Sequence, residues 1–588
     1  MKKKLIPLFA AILTATCLSP LETSSLVEAS EQPTLQMAVM SDIHINQGNP
    51  NNKFKQALTD LKNIAPGYDT IAVVGDFTDR GFEEDYKAFN QILGENKNPG
   101  AEQFITMGNH EYFESNVDKA STVTDEMMQK RFMDYNGDPL STIYFDKWIK
   151  GYHFISLAGE LSAKTLSLTY GNIFPDAKDW AYISEEQYQW FERTLAVEAA
   201  SNKPIFVFLH QPIANTVYGS DKWNAGFDSK RLLTILKKYP QAILFSGHSH
   251  YPLNHPKSIY QDGFTMVNTS SVEYTWNENG RIPGFSQGYL VNVYDDRVEM
   301  KSREFSDGTW IKSTTIPIPY KEAAKDTVKP TFTANSNLRI SNLGTTTVTL
   351  SWDQGQDNTA IDRYVIKESG KTIKTVYSQY WKPEEVVSAT INNLVPHTSY
   401  TYEIYALDAW DNLSADPIKI NLTTQGPKGW YQKGDTWYYY TNEGAKQTGW
   451  LFDKNRWYYF DQAGVLQTGW ISINGKWYYL QKSGEMMTGW FKDGTVWYYL
   501  NQNGAMQTGW ISLGKKWYFL DSHGIMKIGW LRNKNNWYYL DNNGAMYTGW
   551  LAKGSQWYYL KPDGAMVNTK YYIAGKWYYF STSGLWRK

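Results

Sequence analysis

The chain has 588 residues, too many for one hydrophobic core, so three or four domains are expected. A formal net charge of −1 gives no electrostatic pull towards nucleic acid, and no nucleic-acid binding is expected. Sixteen of the 25 Trp lie beyond residue 425, so the C-terminal part needs its own explanation.

Residues 1–29 read as a signal peptide. Lys2, Lys3 and Lys4 form a basic start, the stretch from Leu5 to Leu18 is apolar, and Val27-Glu28-Ala29 meets the small-residue rule for cleavage after Ala29. The apolar run is too short for a comfortable membrane span, so no transmembrane segment is expected in the mature chain. The single cysteine, Cys17, lies in this segment, and Thr16 is a poor residue before a lipid-modified cysteine. Export without disulfides suits a bacterial envelope protein.

Residues 35–318 read as an α/β domain. Strand-like apolar runs fall at 35–40, 70–74, 102–107, 152–157, 204–209, 242–245 and 264–267. Helical spacing joins Phe54, Ala57, Leu58 and Leu61, and also Tyr188, Phe191, Leu195 and Ala196. Five of these runs end in polar clusters: Asp42-Ile43-His44, Gly75-Asp76-x-x-Asp79-Arg80, Gly108-Asn109-His110-Glu111, His210 and Gly247-His248-x-His250. An α/β sheet presents its reactive edge at such strand ends. Only nine His exist in the chain, and five fall in these clusters.

Each cluster alone is weak, but the ordered set resembles the calcineurin-like metallophosphoesterase superfamily across 35–318. The resemblance implies an α/β/β/α sandwich holding two divalent ions, with Mn, Fe or Zn suited to mixed oxygen and imidazole donors. One ion would take Asp42, His44, Asp76 and His250; the other would take Asp76, Asn109, His210 and His248, with Asp76 shared. Water activated between the ions would attack phosphorus in line. His110 would protonate the leaving alkoxide, Asp79 would accept a hydrogen bond from the other ring nitrogen and so set the tautomer, and Arg80 would contact a phosphate oxygen or form an ion pair beside the site. Glu111 reads as a supporting residue, and His153, His255, His397 and His523 as structural or surface residues. Asp79 stands where purple acid phosphatases carry a Tyr ligand, which disfavours that subfamily. Loops at 112–150 and 211–240, with Tyr112, Phe113, Tyr218 and Trp223, are expected to shape the pocket.

Pro317, Pro319 and the charged run 321–329 mark a boundary, after which 330–425 is β-rich. Pro330, Leu338, Trp352, Tyr364, Leu394, Tyr400, Ala406 and Asn412 resemble the landmarks of a fibronectin type III domain. Nothing chemical is concentrated there, and a spacer is the expectation.

From 429 to 588 the chain repeats. Gly-Trp recurs every 20 residues from Trp430 to Trp550, and a second Trp follows seven residues after each. The eighth unit replaces Gly-Trp with Thr569-Lys570, as the cap of a solenoid does. Each unit reads as a β-hairpin too small to fold alone, and stacking leaves aromatic faces between neighbours. Such faces attract a weakly hydrated cation by about 0.5–2 kcal/mol per contact. The segment resembles the choline-binding repeats of Gram-positive surface proteins, including the connector Gly504-Ala-Met-x-Thr-Gly-Trp510. The resemblance implies a left-handed superhelix with choline at the junctions. The paired Trp of each repeat would line the sites: Trp430 with Trp437, Trp450 with Trp457, Trp470 with Trp477, Trp490 with Trp497, Trp510 with Trp517, Trp530 with Trp537, and Trp550 with Trp557. Tyr459, Tyr479, Tyr499, Tyr539 and Tyr559 would close them from the next repeat, with Met486 and Met506 beside them. Related repeats bind glucans or toxin receptors, so another wall ligand stays open.

The whole reads as a secreted phosphoesterase of phosphomonoesters or phosphodiesters, held on the Gram-positive wall through choline of wall teichoic or lipoteichoic acid. The alternative is a wall-binding adhesin with a vestigial phosphoesterase fold.

Overall fold

In the computed structural model, residues 31–46, 52–117 and 122–588 are described, apart from Glu198, Phe227, Asn335 and Pro383. The expected signal peptide, with Cys17, lies outside them. The first domain contains strands β1 (Leu35–Met40), β2 (Thr70–Val74), β3 (Glu102–Thr106), β4 (Phe145–Ile149), β5 (Tyr152–Ser156), β6 (Ile205–Phe208) and β7 (Ala242–Ser246). It continues with β8 (Ile259–Gln261), β9 (Thr265–Asn268), β10 (Thr275–Asn277), β11 (Gly280–Ile282), β12 (Gln287–Val293), β13 (Arg297–Glu304) and β14 (Thr309–Pro317).

Two six-stranded sheets result, ordered β14-β13-β12-β1-β2-β3 and β4-β5-β6-β7-β9-β8. Their centres are parallel: β1 with β2 and β2 with β3 in one, β5, β6, β7 and β9 in the other. The sheets face each other across Val39, Val74, Phe104, Phe154, Phe208 and Phe245, all buried. Helices cover the outer faces. The Asn52–Ile64 helix buries Phe54, Ala57, Leu58 and Leu61, the apolar stripe that the spacing predicts. The Glu185–Ala196 helix buries Tyr188, Phe191 and Leu195, and the Ser184 hydroxyl accepts from the Gln187 N–H at its start. The architecture is therefore the expected α/β/β/α sandwich. Apolar runs do not reveal β12–β14, because β13 alternates buried and half-buried positions along an antiparallel meander. The 112–150 stretch is no simple loop either; it holds a helix at Asp125–Tyr135 and strand β4.

The following domain packs a three-stranded sheet (Leu338–Leu343, Val348–Asp353, Val386–Ile391) on a four-stranded one (Ile361–Glu368, Lys371–Tyr377, Ser399–Asp408, Ile418–Thr423). Trp352 is fully buried at its centre, edge-on to Tyr364 with ring centroids 5.4 Å apart.

The tail is a row of two-stranded hairpins such as Gly489–Asp493 with Val496–Leu500, closed by a three-stranded unit. Neighbours are tied by backbone bonds from each connector back to the preceding unit: the Met506 N–H donates to the Trp477 carbonyl, and the Met526 N–H to that of Trp497, both at 2.8 Å. Leu480, Leu500, Leu520, Leu540 and Leu560 form the buried spine. Between units the fit is tight. A Cβ on Gly524, a left-handed residue, would lie 2.4 Å from the Met506 sulfur.

Truncating Trp352 to Ala should destabilise the middle domain by about 3–5 kcal/mol. Denaturant unfolding should show that domain's transition moving while those of the first domain and the tail stay in place.

Candidate metal centre

Every expected ligand lies just past a parallel strand: Asp42 and His44 after β1, Asp76 after β2, Asn109 after β3, His210 after β6, and His248 and His250 after β7. Asp42, His44, Asp76, His248 and His250 all adopt positive φ, between 46° and 64°. That backbone costs a non-glycine residue about 1–2 kcal/mol, and such strain persists only where surroundings enforce it. Here they do. The Asp76 carbonyl accepts from Ile43 and His44 N–H groups at 2.9 and 3.0 Å, and Gly247 N–H donates to the His210 carbonyl at 2.9 Å. The Ser41 hydroxyl donates to Asp42 Oδ2 at 2.5 Å, and the His248 N–H donates to the same oxygen at 3.1 Å.

Glu111 knots two of these loops together. Its buried carboxylate accepts from the N–H groups of Asp76, Thr78 and Gly108 and from the Thr78 hydroxyl, at 2.7–3.0 Å. Burial and the adjacent Asp76 charge push it up to about 7.

Two groups of converging donors form, Asp42 with His44 and His250, and Asp76 with His210 and His248. His250 Nε2 is 2.9 Å from Asp42 Oδ1 and 3.2 Å from His44 Nε2; His210 Nε2 is 2.9 Å from Asp76 Oδ2. The expectation gave Asp76 to both groups. In the structure it stands with the second group, and Asp42 Oδ1 also comes within 3.8 Å of His210 Nε2.

Tautomers follow from the far side of each ring. His210 Nδ1 donates to the Val74 carbonyl at 2.7 Å and His250 Nδ1 to that of Tyr274 at 2.9 Å, so each Nε2 turns a lone pair inward. His210 Nε2, His248 Nε2, His44 Nδ1 and Asn109 Oδ1 are buried without a hydrogen-bond partner. Buried polar atoms are rarely left so, and lone pairs gathered from imidazole, carboxylate and amide are what a divalent cation satisfies. The donor set fits such ions.

The electrostatics agree. Burial opposes charge on Asp76, yet His210 and His110 hold it well below the usual carboxylate range. Burial and the neighbouring His210 push His248 down to about 3, leaving it neutral; burial of His210 is outweighed by Asp76 and Asp42, which lift it to about 10, so its Nε2 holds a proton against Asp76 that a bound cation would displace to free the lone pair.

His110 stands at the mouth, with its side chain 20 % exposed, stacked on Phe113 at 4.0 Å, and its Nε2 3.9 Å from Asp76 Oδ2. Its Nδ1 donates to Asp79 as expected, through the main-chain carbonyl at 2.8 Å; the carboxylate oxygen is 4.0 Å away. That carboxylate accepts from the Asn46 amide instead. Arg80 pairs with buried Asp85 at 3.2 Å and lies over Phe82, so the ion-pair alternative describes it here. Of the pocket aromatics, Phe113 and Trp223 reach the site, Trp223 edge-on to His248 at 6.0 Å. Tyr112 is buried, and Tyr218 stacks on His255. His255 thus has a structural place, as expected. Tyr274 escaped the sequence reading: it packs on His250 at 4.4 Å and His44 at 5.4 Å, and the Arg281 guanidinium lies over its ring at 4.4 Å. No motif marks it.

In five hairpins of the tail the first Trp meets the second edge-on, as Trp450 does Trp457 at 6.2 Å. The second Trp stays open, 43 % exposed at Trp457 and 46 % at Trp477. The tyrosine across the junction is one residue earlier than expected. Trp430 meets Tyr458 and Trp450 meets Tyr478, whereas Tyr459, Tyr479, Tyr499, Tyr539 and Tyr559 sit opposite the first Trp of their own hairpins. Cross-strand pairing claims those rings.

Residues 35–252 match the family model of the calcineurin-like phosphoesterases. The N-terminal domain belongs to that family. Residues 329–415 match the fibronectin type III domain, 467–508 and 507–549 the choline-binding repeat, and 448–466, 548–566 and 570–585 the putative cell wall binding repeat. The phosphoesterase family implies divalent metal ions. Over 192 residues the chain is 27 % identical to a probable glycerophosphodiester phosphodiesterase of Arcobacter nitrofigilis, covering 32 % of this chain and 59 % of that protein. Choline binding protein F of Streptococcus pneumoniae is 35 % identical over 31 % of this chain and 66 % of its own, with a TM-score of 0.26. A dimetal phosphatase of Danio rerio is 13 % identical over 49 % of this chain and 100 % of its own, with a TM-score of 0.36.

The phosphoesterase centre leaves no room behind its carboxylates. A Cβ on Gly108 would lie 2.3 Å from Asp76 Oδ1, and one on Gly247 2.3 Å from Asp42 Oδ2. Gly108→Ala should therefore cut bound metal per chain at least severalfold in elemental analysis, while circular dichroism stays that of the parent.

Proposed function

We propose that this protein is an exported, two-metal phosphoesterase that hydrolyses phosphodiesters at a Gram-positive cell surface, where its tail grips choline of teichoic or lipoteichoic acid. The observation that carries the reading is the pair of adjacent imidazole–carboxylate groups whose buried lone pairs have no hydrogen-bond partners. Asp42, His44 and His250 would hold one divalent ion, Asp76, Asn109, His210 and His248 the other, with Asp76 or Asp42 reaching between them. Bound there, the ions supply Lewis acidity to a phosphoryl oxygen and lower the pKa of water.

The chain's own residues do the rest. His110 is fixed by the Asp79 carbonyl, so its Nε2 faces the cleft. Protonated there, it would give that proton to the departing alkoxide oxygen, a transfer worth about 10²–10⁴-fold. Phe113 holds the ring flat, and Glu111 keeps both Asp76 and the 108–110 turn in place. Arg80 is close enough in sequence to the centre to exchange Asp85 for a phosphate oxygen, as its planar donors allow. The similarity to a probable glycerophosphodiester phosphodiesterase supports a diester over a monoester. Aromatic walls without a carboxylate requirement support choline as the ligand of the tail.

Chelation should abolish hydrolysis of an aryl phosphodiester, and Mn²⁺ should restore it. His110→Ala should lower kcat by about 10²–10⁴-fold with metal content unchanged, and Asp76→Asn should lose metal and activity together. Retained turnover in both variants overturns the mechanism. Bound to an amine-bearing resin, the intact protein should elute with free choline, and the Trp457→Ala, Trp477→Ala double variant at a lower choline concentration.

A further inference from the structure

The fibronectin type III domain does not hang free as a spacer. Its 378–382 turn places Tyr380 edge-on to His255 at 4.7 Å and to Tyr218 at 5.9 Å, and Trp381 edge-on to Phe285 at 5.5 Å. Asp362, buried at the start of the Ile361–Glu368 strand, takes hydrogen bonds from the Tyr380 hydroxyl and the Arg363 guanidinium, and lies 3.4 Å from His255 Nε2. His255, Tyr218 and Phe285 belong to the phosphoesterase domain, so aromatic rings and a buried carboxylate join the two domains. A polar cleft of about 330 Å³ runs along the seam between Tyr218, Glu278, Asp362 and Tyr377.

The far side of that seam leads to the metal centre. Tyr218, clamped between His255 and Tyr251, donates its hydroxyl to Glu278 at 2.5 Å. Glu278 is at the tip of the hairpin formed by β10 and β11. Asn279, beside it, lines a second cavity of about 180 Å³ whose other walls are Gln354, Tyr377, Ser378 and Val387 of the fibronectin domain. The base of the same hairpin meets His250 twice: Trp276 N–H donates to its carbonyl at 3.0 Å, and the Tyr274 carbonyl accepts from its Nδ1. Tyr274 covers the His44 and His250 rings, and Trp276, 41 % exposed, stands at the rim. One hairpin thus has its base on two candidate ligands and its tip on the neighbouring domain.

We propose that the fibronectin type III domain is a wall of the catalytic cleft, with Tyr380, Trp381 and Asp362 as positioning residues that hold the 275–282 hairpin over His44 and His250. The proposal deepens the phosphoesterase reading and rests on it for the catalytic effect; the docking itself does not. An isolated two-stranded hairpin is marginal in water, so one at a reaction centre needs backing, and here the backing comes from another domain. The part of substrate beyond the scissile phosphate would meet Trp276 and Trp223 first. Loosening the hairpin should therefore weaken binding of a large diester more than it slows turnover.

The test keeps the full chain, with a protease recognition sequence inserted between the exposed Ala324 and Lys325 of the linker. After cutting, the two parts should still co-elute in size-exclusion chromatography. With Tyr380→Ala and Trp381→Ala they should separate, and in the uncut double variant trypsin should gain access at Arg281 in the hairpin. In that variant KM for a bulky aryl diester should rise about tenfold, kcat for a small aryl ester should stay within twofold, and metal content should not change. Tyr380→Phe with Trp381→Phe should restore KM, because ring packing is what the contact supplies. Separation of the cut parental parts, or parental KM and Arg281 protection in the alanine variant, overturns the proposal. If the parent hydrolyses no ester, the phosphoesterase reading fails, and co-elution and Arg281 protection still decide whether the domain holds the hairpin.

Discussion

The strained ends of the parallel strands are what the first domain is built to enforce. A strand delivers its next residue straight ahead, but five of the seven candidate ligands follow a backbone turned left-handed, which swings them towards a common point. Sheet hydrogen bonding cannot impose that turn, because it stops at the strand end. Ser41, Glu111 and the main-chain bonds among the loops impose it instead, and Gly75, Gly108 and Gly247 leave the space into which the side chains swing. A Cβ on Gly75 would lie 2.5 Å from the His210 ring. The motif glycines are therefore as much a part of the centre as the residues that face it.

That explains what the sequence made legible. A cluster of Asp, Asn or His at the end of an apolar run, in three cases opened by a glycine, is a local pattern, so Asp42, Asp76, Asn109, His110, His248 and His250 could be picked out before any fold was known. Partners chosen by side-chain reach could not. The Asp79 carbonyl, rather than its carboxylate, bonds His110, and Arg80 turns to Asp85 five residues on; both depend on loop geometry that no spacing encodes. Tyr274 is invisible for the same reason, a lone aromatic without a motif that the fold stacks on two imidazoles. In the tail, the period of 20 revealed the hairpins, but hairpin register decides which tyrosine faces its own Trp and which faces the next repeat.

The chain handles positive charge in two ways. The first domain gathers imidazole and carboxylate lone pairs in a buried centre, which suits small, strongly hydrated ions that must exchange water for ligands. The tail offers half-open Trp faces, which suit large cations that hold water weakly. Between them, the fibronectin type III domain packs on His255, Tyr218 and Phe285 of the first domain and feeds its chain directly into the tail. The first domain and the tail are thus joined by a domain with packing contacts of its own on the first, not by a loose tether.

The seam between successive repeats carries one more consequence. From Met486 to Met566, five thioethers spaced 20 residues apart each sit where a Cβ on the glycine of the following unit would come within 2.2–2.4 Å of sulfur. A sulfoxide oxygen has no place in such a joint, and it would turn an apolar filler polar. Peroxide reaching these sulfurs would part adjoining hairpins, so the stacking of the tail is sensitive to oxidants at its joints rather than at its tryptophans.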